Sequence, residues 1–224
     1  MLPVVWACTV APVSAQRVVP VHAEPRHRLV YDSDQLKVLD VQIQPSDTTL
    51  LHVHSTPITY VTVGTSSTDS RSIDGDWSGT QPRNPPPGRL GAIRSVLSYA
   101  ERPVTHQVTN VGSTLFRLIA IPSLRSGAEG VAMGSLPGEI LAENRWFRHA
   151  TLTIGRLGRS GSAIAQAPTV LVLIRDGRVA VEHGDGWTTS LERAGAIVVV
   201  PAGASYGLRN SADAEAEVAI VEVR

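Results

Sequence analysis

The sequence predicts an all-β protein built from two tandem copies of one β-domain. Three observations carry this. Short apolar or alternating runs recur from residue 28 to the end, and no long stretch holds a helical period. Gly, Pro, Asn and Asp punctuate those runs at short intervals, as in a sandwich or barrel. The second half also repeats landmarks of the first in the same order, at an offset of roughly a hundred residues.

Composition agrees. Apolar residues make up 42% and charged residues 18%, a balance that suits a packed globular chain rather than a disordered or coiled one. Acidic and basic residues number twenty each, so net charge offers no attraction to nucleic acid or an anionic membrane. No basic-aromatic interleaving, phosphate-cradling Gly-rich loop, GxSxG or HExxH is present. The basic residues are almost all arginine, which points to a GC-rich, bacterial genome.

Residues 1–15, within MLPVVWACTVAPVSAQ, form a short apolar run ending in small side chains. Val13 and Ala15 sit where a secretory peptidase reads its substrate, so a signal peptide cleaved after Ala15 and a periplasmic or secreted protein are expected. The run is too short to span a bilayer, and no membrane span is expected beyond it. Cys8, the only cysteine, falls inside this segment. The mature chain would then have no disulfide, and any metal would be held by N and O ligands.

LKVLDVQIQ alternates apolar and polar positions over nine residues and reads as the first clear strand. ITYVTVG, LFRLIAIP, ATLTIGRL, TVLVLIRDG, RVAVEHG, AIVVVP and EVAIVEV follow as further strands. Residues 71–91 read as turns and one long loop, in which Asp74 and Asp76 have ordinary turn chemistry. A second break, 123–139, reads as a linker, placing the first domain at 16–122 and the second at 140–224. Across that break GDWSG recurs as GDGWT, RLGAI as RAGAI, and His106-xxx-Asn110 as Tyr206-xxx-Asn210 before a last apolar strand.

The segment LLHVHSTPITY holds the chemistry. His52 and His54 stand at i and i+2, so on a strand they face one side. Alone, the pair reads first as a solvent-facing polar ladder, with two ligands for Fe, Mn, Ni, Cu or Zn as the alternative. His22, His27, His149 and His183 lack paired spacing and read as ordinary polar residues, and Glu101 as a surface charge. Tyr60 and Tyr99 fit either a cavity wall or a barrel rim.

Each half resembles a cupin, a small jelly-roll barrel with two motifs, Gly-x5-His-x-His-x3,4-Glu-x6-Gly and Pro-x-Gly-x2-His-x3-Asn. His52 and His54 match the first motif, with Ser46 in place of its opening glycine and Gly64 one place short of its closing one. His106 and Asn110 match the second, whose Pro-x-Gly is absent before them. In the second half Pro201, Gly203 and Asn210 match, with Tyr206 where the histidine belongs and Ala163 and Ala165 at the paired-histidine positions. The resemblance implies two tandem double-stranded β-helix (jelly-roll) barrels, a bicupin. It also implies that His52, His54 and His106 hold one divalent transition metal in the first barrel only.

The family's glutamate would fall at Ile58 or Thr59, and neither supplies a carboxylate. Thr59 offers at most a weak neutral oxygen; Thr59 and Tyr60 are candidate pocket-lining residues. Beside the export expected from residues 1–15, the resemblance implies a metal-binding bicupin working as a mononuclear non-haem dioxygenase on a small enolic or phenolic substrate. The alternative is a non-catalytic ligand-binding or structural cupin with a vestigial site. Structural support is the default role for the second copy, with a shared sheet edge, a homodimer face or an apolar ligand site also open to it.

Overall fold

The computed structural model describes residues 17–73, 75, 77, 88–128, 134 and 136–224. The expected signal peptide with Cys8, together with Asp74 and Asp76, lies outside the described residues, as do 129–133 and 135 of the expected linker.

The chain is almost entirely strand. The first half contributes β1 (Val18–Pro20), β2 (His27–Asp32), β3 (Lys37–Ile43), β4 (Leu51–His54), β5 (Ile58–Gly64), β6 (Thr68–Ser72), β7 (Ile93–Val96), β8 (Val104–Asn110) and β9 (Phe116–Pro122). The second contributes β10 (Glu139–Glu143), β11 (Phe147–Ile154), β12 (Ala163–Ile164), β13 (Thr169–Leu173), β14 (Val179–His183), β15 (Thr188–Leu191), β16 (Ile197–Val200), β17 (Ser205–Asn210) and β18 (Ala216–Val223). Two single turns of 3-10 helix, Val21–Ala23 and Ser98–Ala100, are the only helical elements among the described residues. No helix among them is long and apolar enough to cross a membrane.

The strands form two barrels of two sheets each, and sheet order repeats. β2-β3-β9-β5-β7 in the first barrel is matched by β10-β11-β18-β13-β16 in the second, and β4-β8-β6 by β12-β17-β14. β1 adds to the first barrel by pairing parallel with β4, and β15 extends the second beside β14. The repeated RxGAI turns show why their glycine recurs: Gly91 and Gly195 have φ of 74° and 75°, a left-handed conformation that disfavours a side chain.

The two five-stranded sheets pack face to face between the barrels. On β3, Leu39, Val41 and Ile43 fill the first barrel, while Val38 and nearby Leu36 pack toward the second. On β13, Leu171 and Leu173 fill the second barrel, while Val170 and Val172 pack toward the first. Sheets buried on both faces read as apolar runs rather than strict alternations, as TVLVL does. The second copy therefore covers a sheet face of the first.

The contact is near-symmetric. A Cβ on Gly91 would meet Glu217 of the second barrel, and one on Gly195 would meet Arg117 of the first. Arg117 donates from Nη1 to the Ala194 carbonyl (2.8 Å) and from Nε and Nη2 to buried Asp40 (2.8 and 3.0 Å). Leu136, in the stretch read as a linker, is buried in the second barrel's core.

Candidate metal centre

Three imidazoles meet because two strands pair in one register. β4 turns both His52 and His54 inward, and they are 1% and 4% exposed. β8 runs antiparallel beside it with His106 directly opposite His52. Each residue offers a ring nitrogen within 4.8 Å of the others, and His54 Nε2 and His106 Nε2 are 3.0 Å apart. Two imidazoles about 2.1 Å from one ion at a right angle would have nitrogens about 3 Å apart, so the spacing fits shared coordination.

The rings are oriented and neutral. His52 Nδ1 donates to the Leu50 carbonyl at 2.9 Å, leaving its Nε2 lone pair free. His54 Nδ1 faces the Tyr60 hydroxyl at 3.5 Å. Burial, followed by neighbouring histidines, lowers the pKa of His54 to about 2 and that of His106 to about 4; burial also lowers His52. Neutral imidazole is the form that binds a metal, so at neutral pH no proton need leave these nitrogens.

The cluster lines a cavity of about 190 Å3, together with Tyr60, Tyr99, Arg94, His27 and an apolar wall that includes Phe116 and Leu118. Among the described residues, no aspartate or glutamate lines it. Of the two positions where a carboxylate was sought, Ile58 points into the first barrel's apolar core. Thr59 does not line the cavity, contrary to the sequence expectation. Tyr60 faces the cavity, so its neighbour Thr59 projects from the opposite face of β5, where it is fully buried and hydrogen-bonded to Ser95 (2.7 Å) and His149 (3.1 Å).

Sequence reasoning missed His27 and Glu24. His27 lines the cavity with its ring centroid 4.7 Å from that of His52, and its Nδ1 donates to the Val21 carbonyl at 2.8 Å. Burial lowers its pKa to about 3. Glu24, 2% exposed, accepts the Leu50 N–H at 3.0 Å, so a buried carboxylate lies one peptide group from the hydrogen bond that orients His52. Neither has a spacing signal, because the 3-10 turn and β2 reach the site only through tertiary packing. His22, His183 and Glu101 lie away from the cavity.

The second barrel has the register without the chemistry. Ala163 pairs with Tyr206 as His52 pairs with His106. Ala165 is fully buried and Tyr206 is 2% exposed, packed among Leu171, Leu173, Val181 and Leu208. Burial pushes the Tyr206 phenol up to about 12.

No protein-family model matches the sequence, and no curated protein matches it. Solved structures do match in fold. AerE from Microcystis aeruginosa is 12% identical over 90% of this chain and 98% of its own, with a TM-score of 0.60. A salicylate 1,2-dioxygenase from Pseudaminobacter salicylatoxidans is 11% identical over 86% of this chain and 72% of its own, with a TM-score of 0.57. A cupin 2 conserved barrel domain protein from Leptotrichia buccalis is 10% identical over 88% and 87%, with a TM-score of 0.53. At such identities the likeness is one of fold, and the fold is that of the cupins.

Proposed function

With two tandem cupin barrels as the premise, we propose that the chain is a metal-binding bicupin whose first barrel works as a mononuclear non-haem dioxygenase on a small enolic or phenolic substrate. The observation that carries this reading is the convergence of His52, His54 and His106 nitrogens within 4.8 Å of one another, in a cavity that no carboxylate lines among the described residues. The salicylate 1,2-dioxygenase, alike in fold, supports the choice of chemistry by analogy only. Export rests on residues 1–15 alone and remains part of the proposal.

His52, His54 and His106 would hold Fe, Mn, Ni, Cu or Zn, with Fe, Mn, Ni and Cu suited to oxygen chemistry. When bound, such an ion supplies Lewis acidity for an enolate or phenolate and a site for dioxygen. The chain's own residues do the rest. The Leu50 carbonyl fixes the ring of His52 and its tautomer. Tyr60 and Tyr99 stand at the cavity as hydroxyl donors; burial, followed by Tyr99, pushes the Tyr60 phenol up, so it stays protonated at neutral pH. Phe116, Leu118 and Ala120 give a substrate's carbon skeleton an apolar wall and exclude water.

Metal analysis of untagged protein beside a His52→Ala/His54→Ala variant tests the first step. Near-stoichiometric metal in the wild type and its loss in the variant are expected; equal, substoichiometric metal in both would overturn the reading. Oxygen uptake with diketones, catechols and flavonols then tests turnover. A metal-loaded protein that consumes no oxygen with any of them would be a binding module instead.

A further inference from the structure

The cavity has a cation at its wall and, among the described residues, no carboxylate in its lining. Arg94, on β7, lines the cavity beside Tyr60, its register partner on β5. Its guanidinium carbon lies 5.1 Å from the centre of the Tyr60 ring. That contact holds the guanidinium against the ring at the cavity wall. No aspartate or glutamate pairs with Arg94 among the described residues, although the other cavity-lining residues include four histidines and two tyrosines. A divalent ion on the three neutral imidazoles would make the cavity more positive still.

Uncompensated positive charge in a partly enclosed site favours an anionic occupant. The size of the cavity narrows the choice. At about 190 Å3 it falls below the roughly 300 Å3 at which pockets for drug-sized ligands begin, so a single ring or short chain fits. The distribution of groups narrows it further. The imidazoles share the cavity with the apolar residues Val41, Ile43 and Phe116, while Arg94 is an exposed residue and so reaches both cavity and solvent. A planar guanidinium fork matches a carboxylate in a way that a hydroxyl or amide does not.

Resting on the proposed function, we infer that the substrate is a small carboxylic acid of about one ring, its carboxylate held by Arg94 and its enolic or phenolic end turned toward His52, His54 and His106. Arg94 is then the specificity-determining residue of the site. It holds the ligand without touching the ion, so its loss should erase the preference for acids and leave metal uptake alone. Since Arg94 is exposed, its replacement threatens neither fold nor core.

The test compares 3,4-dihydroxybenzoate with catechol, which carries the same chelating pair without the carboxylate. Both are titrated calorimetrically into wild type, Arg94→Gln and Arg94→Lys, each with and without Ni2+, after Ni2+ alone has been titrated into each protein. The acid should bind wild type about ten- to a hundredfold more tightly than catechol. Arg94→Gln should bind the two alike, Arg94→Lys should keep part of the difference, and all three proteins should take up Ni2+ equally. Equal binding of acid and catechol to wild type, a preference that survives Arg94→Gln, or no binding of either ligand would each overturn the inference. Absence of Ni2+ uptake with the Arg94-dependent preference intact would instead remove the metal reading and leave Arg94 as an anion site.

Discussion

His149 of the second barrel is hydrogen-bonded to Thr59 of the first, Nε2 to hydroxyl, at 3.1 Å. The same nitrogen lies 3.2 Å from the Ser95 hydroxyl, and Thr59 and Ser95 are paired across β5 and β7. The next residues on those strands, Tyr60 and Arg94, face the cavity. The barrel without the histidine cluster thus braces one wall of the barrel that carries it. His149→Ala should cost about 2–3 kcal/mol, from the void left by a buried ring and two hydroxyls losing a partner. Urea unfolding measures this, and unchanged metal uptake in the folded variant separates bracing from ligation. A cost below about 0.5 kcal/mol would show that the contact carries no weight.

The same imidazole sets a pH dependence. Burial lowers the pKa of His149 to about 4, below the ordinary value near 6.5. The unfolded chain therefore takes up this proton first as pH falls. The stability contribution of the neutral ring is complete above about pH 6.5 and is lost progressively down to about pH 4, a span worth on the order of 3 kcal/mol. His149→Phe cannot titrate, so its stability relative to wild type should rise as pH drops through that window. Unfolding curves at a series of pH values check the sign; a constant difference from pH 7 to 4 would contradict it.

The repeated asparagines predict a second, matched pair of losses. Asn110 donates to the carbonyls of Ile43 and Thr114, both at 2.8 Å, and accepts from Ser66 (2.7 Å) and the Gly112 N–H (3.0 Å). Asn210 donates to Ile154, Gly155 and Ala214 at 3.2, 3.1 and 2.7 Å and accepts from the Ala212 N–H at 3.0 Å. Each is buried and ties the end of one strand to the turn that follows it, away from the metal cluster. Asn110→Ala and Asn210→Ala should each cost at least about 2 kcal/mol, because buried carbonyls lose their donor. Thermal unfolding measures both. The Asn110 variant should still take up metal below its unfolding temperature, and loss of metal from fully folded protein would assign that residue to the site instead.

These asparagines also show what the sequence made legible. A residue whose partners lie within its own repeat recurs with the repeat, so Asn210 can be read by comparing halves. His52, His54 and His106 could be gathered through the family's two motifs, which one register between β4 and β8 brings together. His27, Glu24 and Arg94 could not. Their partners come from other strands and turns, and a lone histidine, glutamate or arginine has no periodicity to mark it. Thr59 was misplaced because counting along a motif ignores which face of β5 a residue occupies, and at the end of a four-residue gap one position reverses the face.

That reversal supplies the last prediction, on the absent carboxylate. Ile58 lies on the inward face of β5 with Tyr60, whose hydroxyl is 3.5 Å from His54 Nδ1, while Thr59 lies on the face against the second barrel. Ile58→Glu should destabilise the metal-free protein by several kcal/mol, since it buries an acid in an apolar core. Added Ni2+ should restore much of that stability, because an inward carboxylate can neutralise and coordinate the ion. Thr59→Glu should lose comparable stability with no rescue, since its carboxylate would sit between the sheets beside His149. Thermal unfolding of both variants with and without Ni2+ reads the difference. Equal rescue of the two, or of neither, would mean that the inward face of β5 does not look onto the metal centre.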